Sequence, residues 1–279
     1  MHPIPLISLT IILINIIFSW QGFKSGSFFD RFSFRVDEIL VNKEYVRLIS
    51  SGFLHIGWVH LIMNMVTLYL FSNMLELYMG GIPFLIVYLA GLVGGNLLAL
   101  LIHRQHGDYS AVGASGAVCG IIFASIALFP GMSVRLFFLP ISIPGWLFGL
   151  AYILYSIYGI RSKADNIGHE AHLGGALVGM FTALCFHWYA FSGNLFTICI
   201  ISVPALFFIY LIITRPHVLF VDNFYFKQHR NANIEDRYNL NKRAKQNEID
   251  DILEKIHRKG IKSLTRDEKE KLDEYSNSV

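Results

Sequence analysis

The sequence predicts an all-α membrane protein: a polytopic helical bundle of six core spans plus a seventh, with an amphipathic interfacial loop between the first two. Three observations carry that prediction. Of the 279 residues 54% are hydrophobic and only 15% are charged, against about 25% charge in an ordinary soluble domain; mean hydropathy is +0.48. The apolar residues gather in runs close to the ~20 residues that a spanning helix needs. Aromatic residues mark the run ends at Trp20, Trp58, Tyr78, Trp146 and Trp188, as interfacial anchors do.

Taken in order, the candidate spans are 4–20, 58–78, 83–102, 112–129, 144–160, 169–188 and 195–213. The last two are divided only by a short link, 189–194. The first run lacks a basic leader and a small-residue cleavage site, so it reads as a retained span. Segment 21–57 mixes Phe28, Phe29, Phe32, Phe34, Val36, Ile39 and Leu40 with Lys24, Arg31, Arg35 and Asp37. It is too charged to span and too apolar for a free loop, which suits an element lying in the interface. The domains are then 1–213, the membrane domain; 214–246, a surface segment and linker; and 247–279, a small helical hairpin. In the hairpin Ile249, Ile252, Leu253 and Ile256 share a face, Gly260 is a stop, and Thr265 with Glu268 forms a capping box. A hairpin of that size carries no core alone and should pack on a partner that the sequence does not identify.

The formal net charge of +3 gives no sign of a nucleic-acid partner. Cys119, Cys185 and Cys199 all lie inside apolar runs and read as packing residues, with no disulfide framework. No cofactor is called for. A metal at His55, His60, His169 and His172 would leave the serine described next unexplained, and no internal repeat supports a transporter.

Polar groups at membrane depth are costly and mark function. Here they are few. His55 and His60 stand at the mouth of the second span, with Asn64 one turn beyond and Glu76 near the far end. His169 and His172 open the sixth span, followed by Gly175 and Gly179. The fourth span opens on Gly113-Ala114-Ser115-Gly116, and Gly116 and Gly120 clear one face for close helix packing. A serine hydroxyl becomes a nucleophile when a nearby histidine takes its proton, and the resulting oxyanion needs hydrogen-bond donors. Ser115, a histidine of the sixth span, Asn64, His60 and the Ser115 N–H together suit acyl transfer.

These residues resemble the rhomboid family of intramembrane serine proteases at several places between residues 45 and 186. Gly113-Ala114-Ser115-Gly116 is similar to the family's GxSG motif, and Ala171 to Gly179 to its AHxxGxxxG motif. His60 to Asn64 resembles HxxxN, Arg47 stands where the family has a Trp-Arg pair, and Glu76 resembles a structural acid. The resemblance implies a rhomboid-like bundle, a nucleophile at Ser115, a base at His172 with His169 as the competitor, and an oxyanion hole lined by His60 and Asn64. It implies transmembrane protein substrates drawn from the lipid bilayer and residence in a bacterial inner membrane. Two departures stand out. Val46 replaces the tryptophan, which weakens the expected loop anchor. Cys119 stands where many bacterial members carry a tyrosine under the base, so the His172 ring is expected to be held differently or less firmly. The alternative is an inactive, derlin-like relative that binds membrane clients.

Orientation is read two ways. The resemblance turns the cavity away from the cytoplasm. Lys24, Arg31, Arg35, Lys43, Arg47, Arg104, Arg161 and Lys163 all fall on the cavity side, against Arg135 opposite, and by the positive-inside rule would turn it inward. Charges held in a packed interfacial element are not free loop charges, so the family orientation is the expectation kept.

Overall fold

In a computed structural model, residues 5–129, 131–135, 142–162, 167–214, 265 and 269 are described. One unit runs from Met1 to Gln228 and a second from His229 to Val279. In the second, the Lys269 N–H donates to the Thr265 carbonyl at 3.2 Å, where the sequence places the start of the last helix. The remaining expectations for 215–279 lie outside the described residues.

Helix α1 (Leu6–Lys24) has no side-chain cap of its own at Pro5. Its first N–H groups would be orphaned. Glu76 supplies the cap from a distance: its carboxylate accepts from the Ile7 and Ser8 N–H groups, each at 2.8 Å. A negative charge at a helix N-terminus is favoured by the helix dipole. The acid near the end of the second span therefore ties two helices together.

The chain between the first two spans is ordered and short in every piece: α2 (Gly26–Phe32), β1 (Phe34–Arg35), α3 (Val36–Leu40), α4 (Arg47–Ser50) and a 3-10 turn, Ser51–Phe53. Phe34, Val36 and Ile39 bury against Ala99 and make a small core of their own. Arg47 is buried, and donates to the carbonyls of Asp30 at 2.6 Å and Ser33 at 2.8 Å and to the Glu44 carboxylate at 2.6 Å. Val46, beside it, is exposed. The arginine thus ties the loop together without a tryptophan beside it, and the Ser50 hydroxyl adds a hydrogen bond to the Phe32 carbonyl at 2.9 Å.

Helices α5 (Trp58–Met79) and α6 (Gly81–His103) follow. Strand β2 (Ser110–Ala111) pairs antiparallel with β1, Phe34 opposite Ala111. Helix α7 (Ser115–Leu128) is buried from Gly116 to its end, so it is the axis on which the others pack. Its 14 residues reach about 21 Å, short of the ~30 Å hydrocarbon layer. The expected span, 112–129, begins three residues early: residues 112–114 belong to a loop. A hairpin of β3 (Ser133–Arg135) and β4 (Ser142–Pro144) leads into α8 (Gly145–Ser162). Then come α9 (His169–Phe186), the short α10 (Ala190–Gly193) and α11 (Leu195–Thr214). The sixth and seventh expected stretches are therefore separate helices. By length and composition α1, α5, α6 and α11 are each long and apolar enough to cross a membrane.

Candidate active site

The site is built on contacts that only bare backbones allow. A Cβ placed on Gly116 would stand 3.1 Å from the Ala171 carbonyl oxygen, and one on Gly120 would stand 3.1 Å from that of Gly175. A Cβ on Gly175 would overlap the Gly116 carbonyl, and one on Gly179 the backbone of Gly120. Helix α6 joins the same junction, with Gly91 against Gly120 and Gly95 against Ala171. Three helices meet backbone to backbone, the mode of small-residue packing in membranes. Ser115 and His172 each lie one residue from the Gly116–Ala171 contact, so both stand at the same end of the α7–α9 pair. The glycines of α6 were not singled out in the sequence, where an apolar run hides them.

Ser115 opens α7. Its N–H and that of Gly116 belong to the first turn and have no partner inside the helix. The loop before it is shaped by Gly113, whose φ of +138° suits only a residue without a Cβ. There a side chain would also lie 2.8 Å from His60 Cε1, 3.0 Å from its Nε2 and 3.8 Å from the Ser115 hydroxyl. The His60 ring and the Ser115 hydroxyl thus converge over the bare Gly113 Cα. His60 Nδ1 is buried with no hydrogen-bond partner among the described residues. The buried Asn64 side chain donates to its own helix at the His60 carbonyl, 3.0 Å away.

His55 is fully buried and serves the loop. The Ser19 hydroxyl donates to the Phe53 carbonyl at 3.0 Å and lies 2.9 Å from His55 Nδ1. With the serine proton spent on Phe53, Nδ1–H donates to Ser19 and Nε2 accepts the Ala114 N–H at 3.5 Å. Burial, with His60 beside it, holds the His55 ring far below the ordinary imidazole range, at about 3, so at neutral pH it is an uncharged strut beneath the loop that leads into α7. Arg47 and Glu76 brace the scaffold in the contacts given above.

The two histidines of α9 have different surroundings. His169 is 2% exposed and its ring lies on the Gly159 backbone and edge-on to Tyr155, 5.0 Å between centroids. His172 is half-buried, as is Ser115. Its Nδ1 lies 3.1 Å from the Tyr152 hydroxyl, which in turn lies 3.1 Å from Cys119 Sγ. The tyrosine that the sequence lacks at position 119 is supplied from α8. The first turn of α9 is fixed by a second contact that sequence reasoning missed: Glu170 meets His103 Nε2 at 2.8 Å, and His103 stacks on Tyr109 at 3.6 Å.

The family model for the Rhomboid domain matches residues 42–189, just over half of the chain. A family of unknown function (DUF6576) matches residues 232–278. RHOMBOID-like protein 12, mitochondrial, of Arabidopsis thaliana is 32% identical over 175 residues, 57% of this chain and 51% of its own length. Rhomboid protein 1, mitochondrial, of Saccharomyces cerevisiae is 29% identical over 177 residues, 61% and 48% respectively. Rhomboid protease GluP of Bacillus subtilis is 29% identical over 154 residues, 54% and 28%. The match therefore spans about half the length, or less, of these relatives.

Proposed function

Because this chain belongs to the rhomboid family, we propose that it is an intramembrane serine endopeptidase that cuts transmembrane segments of other membrane proteins. The observation that supports this most is the glycine junction, which sets the half-buried Ser115 and His172 at one end of α7 and α9. In the reading proposed, His172 Nε2 takes the Ser115 proton as Oγ attacks the scissile carbonyl. The oxyanion is held by the Ser115 and Gly116 N–H groups, with His60 and Asn64 as further donors. His172 then gives the proton to the leaving amine, and water, activated by the same ring, releases the acyl group. His169 is poorly placed to compete, being enclosed by α8. No carboxylate is required, since neutral donors suit a site walled by apolar side chains.

A chain entering from the bilayer must unwind before its carbonyls are open to attack, so substrates should carry small or helix-breaking residues near a span end. A relative named as a protease, GluP, agrees with the catalytic reading. Relatives also carry mitochondrial and chloroplastic names. The bacterial inner membrane is the residence we propose, on the sequence resemblance alone.

The test is cleavage of a model transmembrane substrate by the purified full chain in liposomes, beside Ser115→Ala and His172→Ala. Cutting by the wild type and loss in both variants is the expected result. Cutting that survives in His172→Ala would move the base to His169. Substrate binding without any cutting would make the chain a client-binding relative instead.

A further inference from the structure

We propose that Tyr152 is a positioning residue for the base, and that Cys119 completes it as the acceptor at the end of a hydrogen-bond relay. The inference rests on the protease reading for its kinetic consequence and on geometry for its substance. Tyr152 comes from α8, a different helix from both Ser115 and His172. Its hydroxyl stands 3.1 Å from His172 Nδ1 and 3.1 Å from Cys119 Sγ. Its ring lies 6.2 Å from the His172 ring at 34°, and is wedged between Phe123 and Phe148, 5.8 and 6.1 Å away. The phenol is therefore fixed at its ring and polar only at its tip.

The direction of the relay follows from the chemistry. When His172 takes the Ser115 proton at Nε2 it becomes imidazolium, and both ring nitrogens are then donors. Nδ1–H meets the Tyr152 oxygen, which can accept it only if the phenol proton points elsewhere. Cys119 Sγ, one helical turn after Ser115, is the acceptor within reach. With the ring charged, Nδ1 can only donate, and a phenol O–H is a stronger donor than a thiol S–H, so in that state the relay runs Nδ1–H to Oη and Oη–H to Sγ. No proton leaves Tyr152; the hydrogen bonds only take up a fixed order. In the relay proposed, the same order holds before the proton arrives, with the hydrogen on Nδ1 and the lone pair on Nε2, the nitrogen to which the protease reading assigns the Ser115 proton. That is the service which an orienting group gives a catalytic histidine.

This gives Cys119 a reason to be a cysteine. A tyrosine at 119 would compete with Tyr152 for the space under His172. A small residue with a lone pair leaves that space to the ring from α8 and still ends the relay.

The experiment uses the full chain in lipid with Tyr152→Phe, Cys119→Ala and Cys119→Ser. Two readouts are taken: kcat and KM on a model transmembrane substrate, and the imidazole nitrogen spectrum of 15N-histidine-labelled protein, with the His172 signals assigned by their loss in His172→Gln. Tyr152→Phe keeps the packing ring and removes only the hydroxyl. It should lower kcat about 10- to 100-fold with KM changed less than about 2-fold, the scale of a misplaced catalytic group. It should also abolish the wild-type Nδ1–H tautomer as the dominant form. Cys119→Ala should lower kcat about 3- to 10-fold, and Cys119→Ser should restore it to within about 2-fold, because a hydroxyl is also an acceptor. Wild-type kcat and an unchanged His172 spectrum in Tyr152→Phe would overturn the proposal, as would a loss of kcat with the spectrum intact. Equal losses in Cys119→Ala and Cys119→Ser would remove Cys119 from it. If the wild type cuts nothing, the protease reading fails, while the spectra still decide whether Tyr152 sets the tautomer.

Discussion

Gly113 shows how narrowly the candidate site is specified at the scale of single residues. Its φ of +138° costs a residue with a side chain about 1–3 kcal/mol, and the added Cβ would press on the His60 ring. Gly113→Ala is expected to lower the cleavage rate about 10- to 100-fold while the protein still purifies as a folded species; initial rates in liposomes check it. Ser115, His60, Asn64 and His172 were legible because each sits in a short motif whose spacing carries a chemical reason. Tyr152 was not. It lies on another helix, 20 residues before His172, in a span that also carries Tyr155 and Tyr158. Nothing in the local pattern separates a tyrosine that faces His172 from one that faces lipid. Glu170 was missed for a related reason: its partner His103 is 67 residues away, and a pairing at that distance leaves no mark on spacing.

At the scale of elements, apolar runs place the helices well and their ends poorly. Residues 58–78 and 195–213 differ from α5 and α11 by one residue at the C-terminal end, because length and hydropathy alone fix them. Helices α1 and α7 begin later than their apolar runs. The start of α1 is set by Glu76 on another helix, and the start of α7 by the Gly113 loop held at the Ser51 carbonyl. The α7–α9 contact predicts a sharp asymmetry between glycines. Gly179→Val forces a branched side chain into the Gly120 backbone and should cost at least about 1–3 kcal/mol, seen as a lower unfolding temperature together with lost cleavage. Gly193→Ala, with nothing within 4 Å, should change neither. Arg47→Ala removes three charge-assisted contacts from a buried guanidinium and should destabilise by about 2–3 kcal/mol, with early proteolysis between α2 and α4 as its signature.

For the molecule as a whole, the buried His55 ties stability to pH. Its ring titrates at about 3 in the folded chain and at about 6.5 when exposed. Between those values the unfolded chain binds the proton and the folded one does not, so stability falls as pH falls from about 6.5 toward 3. His55→Asn should flatten that slope in detergent unfolding curves taken across pH 4–7 and should lower the plateau above it, since the Ser19 and Ala114 contacts are loosened. The helical, membrane-spanning class was plain from composition, and the family from short motifs in their order along the chain. The three-helix junction was half visible, its α7 and α9 glycines standing in motifs while those of α6 lay inside an apolar run. What composition could not supply was the second layer of the site, made by residues that meet only once the helices pack.

In the reading proposed, His172 makes Ser115 a nucleophile inside this bundle. That reading is tested most directly by reacting the lipid-embedded full chain with a fluorophosphonate probe and locating the adduct by peptide mass spectrometry. One adduct is expected, on Ser115, with a labelling rate at least about 100-fold lower in His172→Ala. An unlabelled Ser115 in the folded wild type, or equal labelling in His172→Ala, would contradict it.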